Sequence, residues 1–427
     1  MINNLINAKQ LVNSVDTNIR FNREPNNVLS FIGEKLTRGR HKIHKYPAML
    51  HPLLVDYLLE RYANNNSVIF DPFCGSGVTL LESSQNGNTS YGFDINPLAL
   101  LIAKSKTRKY DTKLLLAEYY DLFNKIKSNK NIDIPNIQNI DYWYKDDVVR
   151  DLGRIKYELK NNDYINKNFF IVCFANICRE QSLTRKGEFK RYRLNSEQIR
   201  NCTNKVFENF FHHTESMISI FKNTNDIKSE AFPLLSNSEN AIPAEIKYDL
   251  VITSPPYGDS RTTVAYGQFS SFGSDWISDL NEYDNINYKV DNESLGKKSE
   301  IDKKIFCHKE FTQIVELIES VDSKRAEDVV NFFNAYYKAL KNISANLNRN
   351  GVVCFVVGNR TVKGHQIPMD QITASFFQEF GLEFENILVR DISNKVMPSK
   401  NSPSNIIGEK STTMMNEYIV ILRKGKQ

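Results

Sequence analysis

The sequence has no CxxC pair, no fixed-period repeat, no Pro/Gly/Ser-rich linker, and no uncharged apolar stretch near the roughly 18 residues a membrane helix needs. No transmembrane segment is expected. The opening Met-Ile-Asn-Asn-Leu has neither a basic region nor a long apolar core, so no secretory leader is expected and the reading is cytoplasmic. The six cysteines, Cys74, Cys173, Cys178, Cys202, Cys307 and Cys354, read as reduced thiols rather than a disulfide framework or zinc site. Cys307 beside His308 lacks further ligands and reads as incidental; no metal is expected. Charge is not extreme either: a net +5 permits an anionic partner without demanding one.

A chain of 427 residues has room for two or three domains. Short apolar runs bounded by turn residues predict strands at 67–73, 90–95, 248–254, 351–358, 386–392 and 417–423. Helical spacing is found at 78–84, 330–347 and 368–380, with Pro368 suited to a helix start. Strands alternating with helices imply an α/β fold, a doubly wound, mostly parallel Rossmann-like sheet. The last two strands lack an intervening helix and predict an antiparallel hairpin closing one edge. Residues 1–108 and 246–427 are expected to form the two parts of this domain. Between them, 109–245 is too long for one crossover; it is expected to be an inserted, mainly helical region with one missing strand near 226–231. A second insertion at about 258–325, rich in Ser, Asn, Asp and Lys, reads as loop with short elements. The run Phe332, Phe333, Tyr336, Tyr337 has helical spacing and reads as core.

Three stretches carry chemistry. Asp71-Pro72-Phe73-Cys74-Gly75-Ser76-Gly77 ends a strand, where glycines let the backbone turn sharply against a ligand. The third glycine of a dinucleotide fingerprint would fall at Leu80, and no Lys-Ser/Thr pair follows, so nicotinamide-cofactor and P-loop readings both fail. Asp94 ends the next strand, placed to accept hydrogen bonds from ribose hydroxyls. Thr253-Ser254-Pro255-Pro256-Tyr257 ends a third strand. Its paired prolines stiffen the chain and lack N–H donors, leaving carbonyls as acceptors. An exocyclic amine needs such acceptors to aim its lone pair, and Tyr257 offers a face for stacking a base.

Together, the first and third stretches resemble the cofactor and catalytic motifs of amino-methylating, site-specific DNA methyltransferases. His44-Lys45-Tyr46-Pro47-Ala48-Met49, with His51-Pro52, is similar to the family's tenth motif, which closes over the methionine end of the cofactor. The resemblance covers roughly 42–101 and 248–424. It implies S-adenosyl-L-methionine as cofactor, held by Tyr46, Pro47, Ala48, Asp71, Phe73, Gly75, Gly77, Asp94 and Thr253. It implies Ser254, Pro255, Pro256 and Tyr257 as catalytic residues. Ser rather than Asp at 254 is the pattern of N4-cytosine enzymes. The setting it implies is restriction–modification, with double-stranded DNA as substrate and, by association, a genetically linked restriction endonuclease.

The insertion between the motifs is the expected target-recognition region. Its segment 179–193 has six Lys or Arg against two Glu, with Phe189 and Tyr192 interleaved. Basic groups neutralise phosphates, and aromatics stack or wedge. The candidate DNA contacts are Arg185, Lys186, Lys190, Arg191 and Arg193, with Arg261 and Lys400 in later polar loops. The rival readings are N6-adenine methylation, methylation of a guanine amine in RNA, and a catalytically dead nucleic-acid-binding protein.

Overall fold

The computed structural model describes residues 20–224, 226–259, 263–283, 290–392, 400–401, 411–412 and 416–425. Its main sheet contains β1 (Arg23–Pro25), β2 (Ile69–Asp71), β3 (Ser90–Asp94), β4 (Ala231–Leu235), β5 (Tyr248–Thr253) and β6 (Leu347–Val357). Two-residue ribbons follow as β7 (Thr361–Val362) with β8 (His365–Gln366), and β10 (Lys400–Asn401) with β11 (Ser411–Thr412). The long strands β9 (Leu382–Asp391) and β12 (Asn416–Lys424) complete the main sheet in the order β1-β9-β12-β6-β5-β2-β3-β4. Neighbours pair in parallel except around β12, which runs against both β6 and β9.

Both faces of this sheet are covered, which is why its strands read as continuous apolar runs rather than alternating ones. Along β6, Val353, Phe355 and Val357 face one core, with Phe332, Phe333, Tyr336 and Tyr337 of helix Ser323–Asn346. Val352, Cys354 and Val356 face the other core, with Leu54, Val55, Leu58 and Leu59 of helix Pro52–Tyr62. A third core belongs to the helical insertion. There helices Thr112–Ser128, Asp146–Asn161, Lys167–Gln181 and Val206–Asn223 pack around Phe169, Phe174, Phe210 and Phe221.

The structure corrects the sequence reading in three places. The missing strand is Ala231–Leu235, not 226–231; Pro233 lies within it, and the strand ends the sheet, where a missing N–H costs no ladder bond. The insertion after the catalytic motif is not mainly loop. It carries helix Tyr266–Ile277, whose Phe272, Trp276 and Ile277 join the core of the helical insertion, and helix Lys309–Glu319. The antiparallel pair β9–β12 forms, but β12 slots between β6 and β9, and the short β1 is the outermost strand on that side. His308 beside Cys307 is held structurally, with Nδ1 on Ser375 Oγ at 2.7 Å and Nε2 on Glu379 at 2.7 Å. Among the described residues, no helix is long and apolar enough to cross a membrane.

Candidate active site

The carboxyl ends of β2, β3, β4 and β5 open on one cleft with about 910 Å³ of empty space, its solvent mouth included. The turn after β2 is built for close approach. Gly75 and Gly77 have φ of 49° and 75°, in the left-handed region that favours glycine. A Cβ on Gly77 would lie 2.6 Å from Ala103 Cβ, so this position packs the helix Val78–Asn86 against helix Pro97–Thr107 and does not itself line the cleft. Asp94 then ties the turn to β3: Gly75 N–H donates to Oδ2 at 2.9 Å and Asn96 N–H to Oδ1 at 2.7 Å. Each oxygen keeps lone-pair capacity for a further donor.

Asp71 is held the same way, accepting from Phe73 N–H at 3.1 Å and from Thr253 Oγ1 at 2.6 Å. Thr253 is fully buried and acts through Asp71 rather than as part of the wall. Burial raises both carboxyls, Asp71 and Asp94, to about 6. Opposite them stand Tyr46, Pro47 and Ala48. The Tyr46 hydroxyl accepts from Asn96 Nδ2 at 3.1 Å, its ring stacks on Tyr266 at 6.0 Å, and Ala48 adopts a φ of 51° unusual for a residue with a side chain. Phe73, Ser254 and Pro256 also line the cleft, while Pro255 between them is buried. Tyr257 is half-buried against the sheet core. Its hydroxyl pairs with Ser254 Oγ at 3.0 Å, and burial pushes its phenol well above the ordinary tyrosine range.

Two wall segments were not anticipated. Ser236, Asn237 and Ser238 follow β4, and the Ser238 hydroxyl donates to the Pro72 carbonyl. They were missed because the strand was placed about five residues early. Asp291, Glu293 and Ser294 come from the second insertion, and Asp291 accepts from Gly267 N–H at 2.9 Å and Gln268 N–H at 3.0 Å. Among the described residues, the wall carries Asp71, Asp94, Asp291 and Glu293 and no Lys, Arg or His. Those carboxyls suit a cationic nucleoside such as a sulfonium.

The five basic candidates at 185–193 fall on an antiparallel hairpin: Arg185 N–H donates to Tyr192 O at 2.9 Å and Leu194 N–H to Leu183 O at 2.9 Å. Arg185 is exposed. Lys186 is also exposed, but its ammonium folds back, donating to Ser182 O at 2.6 Å and Arg179 O at 3.0 Å, and desolvation of that end lowers its pKa to about 8. Arg191 lies 5.5 Å from the Trp143 and Phe272 rings, and Arg193 lies 4.0 Å over Tyr142. Lys190 is partly exposed. Arg261 and the side chain of Lys400 lie outside the described residues.

The chain is 32% identical to the type II methyltransferase M.MvaI of Kocuria varians, over 93% of this chain and 94% of that protein. This chain belongs to the type II DNA methyltransferases. A DNA methylase family model matches residues 9–105. The methyltransferase is also 21% identical to M.BsoBI of Geobacillus stearothermophilus, over 97% of this chain and 91% of that one. Among solved structures, a SAM-dependent methyltransferase of Methanosarcina mazei aligns with 90% of this chain and all of its own, with a TM-score of 0.32 and 9% identity. The cofactor of this methyltransferase is S-adenosylmethionine, and the acid-lined cleft fits it.

Cofactor affinity should depend on pH. Asp94 accepts most strongly when ionised, so the dissociation constant should rise as pH falls from 7.5 through about 6 towards 5. The sign for folding is opposite. These carboxyls ionise less readily folded than unfolded, so their contribution to stability is full below the ordinary carboxylate pKa and lost as pH rises through about 6. Calorimetry of cofactor binding across this range checks the first statement; Asp94→Asn should flatten the curve, and an unchanged slope in that variant would assign the titration elsewhere.

Proposed function

We propose that this methyltransferase transfers a methyl group to N4 of cytosine at a specific site in double-stranded DNA, within a restriction–modification pair that includes a linked nuclease. The supporting observation is a neutral acceptor, Ser254, on the wall that also carries Asp94 and the Gly75 turn. The donor, held by Asp94 and the residues around Tyr46 and Phe73, supplies an electrophilic methyl group when bound. Ser254 Oγ and the Pro255 carbonyl accept the hydrogens of the target amine, turning its lone pair towards the cleft. Pro255 and Pro256 keep those acceptors from relaxing away, so catalysis is chiefly positioning and electrostatics. The amine of a paired cytosine is enclosed by the duplex, so the base is flipped out and stacks on Tyr257. The helical insertion with its hairpin is the target-recognition region, and Arg185, Lys190 and the loops carrying Arg261 and Lys400 meet the DNA backbone.

The test is nucleoside analysis of DNA from a host expressing the chain, paired with modification-sensitive sequencing. N4-methylcytosine at one recurring site is expected. N6-methyladenine would overturn the assignment while leaving the family intact.

A further inference from the structure

The hairpin 183–194 has two unlike faces. Side chains alternate across a two-stranded ribbon, so Thr184, Lys186, Arg191 and Arg193 share one face. That face is turned to the protein: Thr184 is buried, the ammonium of the otherwise exposed Lys186 bonds to backbone carbonyls, and both arginines lie against rings. Three of the five basic residues therefore hold the ribbon in place. The opposite face presents Arg185 and Tyr192, and the tip presents Phe189, 46% exposed, with Tyr192 at 48%. Phe189 makes no ring contact with any described residue, whereas many of the described large aromatics are buried in clusters.

The tip is fixed close to the catalytic cleft. Arg179, at the end of helix Lys167–Gln181, donates from Nη2 to the Glu188 carbonyl at 2.8 Å and from Nη1 to the Phe269 carbonyl at 3.2 Å. Its guanidinium also lies 3.8 Å over the Phe269 ring. Phe269 is in the first turn of helix Tyr266–Ile277, whose first residue lines the cleft. On the return strand, Arg191 N–H reaches Gln268 Oε1 at 3.5 Å. One buried arginine thus locks the residue before Phe189 to the helix that begins at the site of transfer.

We infer that Phe189 is the wedge that enters the duplex beside the target base and fills the gap left when that base swings into the cleft. An apolar side chain inserted at a base step offsets part of the unstacking that extrusion costs. Arg185 and Tyr192, on the outward face, meet the flanking backbone. This rests on the flipping step of the proposed function.

The test is a set of single-turnover rates on two duplexes, one fully paired and one with the target base mispaired, together with fluorescence of 2-aminopurine at the target position. Phe189→Ala should slow methylation of the paired duplex by about ten- to hundred-fold, the scale of one lost base–aromatic stack. On the mispaired duplex, where little pairing opposes extrusion, its rate should return to within about three-fold of the parent. The fluorescence rise on binding should shrink in Phe189→Ala and persist in Phe189→Leu. Tyr192→Ala should weaken DNA binding equally on both duplexes. Equal losses for Phe189→Ala on the two duplexes, or no loss on either, would overturn the inference. If the parent protein methylated neither duplex, the failure would lie with the proposed function instead.

Discussion

Asp94→Ala should abolish useful cofactor binding, weakening it by roughly 2–4 kcal/mol, or about 30- to 1,000-fold. Two losses combine. The ribose hydroxyls lose their acceptor, and the N–H groups of Gly75 and Asn96 lose theirs, at 2.9 and 2.7 Å. The second loss loosens the glycine turn itself, so replacing only the charge should be milder: Asp94→Asn keeps an oxygen for one N–H and should fall between parent and Ala. Calorimetry on folded variants checks the order parent, Asn, Ala. An Ala variant binding within about two-fold of the parent would show that the cofactor does not lie on this carboxylate.

Ser254→Ala should act on turnover and leave the cofactor in place. Removing one oriented polar group that meets charge developing in the transition state costs about a hundred- to a thousand-fold in rate. Cofactor and DNA dissociation constants should move by less than about three-fold, because the acceptor matters most as positive charge grows on the amine. The 3.0 Å contact between Ser254 Oγ and the Tyr257 hydroxyl supplies the control. If Ser254 served only to hold Tyr257, Tyr257→Phe would reproduce the whole loss. If Ser254 itself accepts amine hydrogens, Tyr257→Phe should retain most of the rate, since the ring remains for stacking. Methylation by Ser254→Ala at the parental single-turnover rate would displace the catalytic site from this tetrapeptide.

The geometry of the glycine turn and the Asp94 carboxylate was legible because its constraints are local. Gly75, Gly77 and Asp94 sit one turn and one strand apart, and the backbone angles and short approaches that need them arise within that unit. The sheet was legible for a similar reason: apolar runs such as that of β6 bury both faces whatever their neighbours. Even so, Gly77 proved to be a packing residue and Thr253 a support for Asp71, because local spacing does not say which side of a turn faces the ligand.

What the chain alone determined is the local framework of the cleft: a glycine turn and a carboxylate at the ends of two strands, followed by a proline pair at the end of a third. What only the tertiary structure decided is which distant residues complete that site. Asp291, Glu293 and the serines after β4 reach the cleft across long sequence separations, in segments whose polar composition looks like ordinary loop. The fate of the basic segment was decided the same way. Six positive charges in a row of 15 residues look equivalent on paper, but a ribbon has two faces: Arg179 and Arg191 pack on helix Tyr266–Ile277, Arg193 lies over Tyr142, and the Lys186 ammonium is tied to the Ser182 and Arg179 carbonyls. Burial against a partner element sets which charges remain for DNA, and that partner is not written in the segment itself.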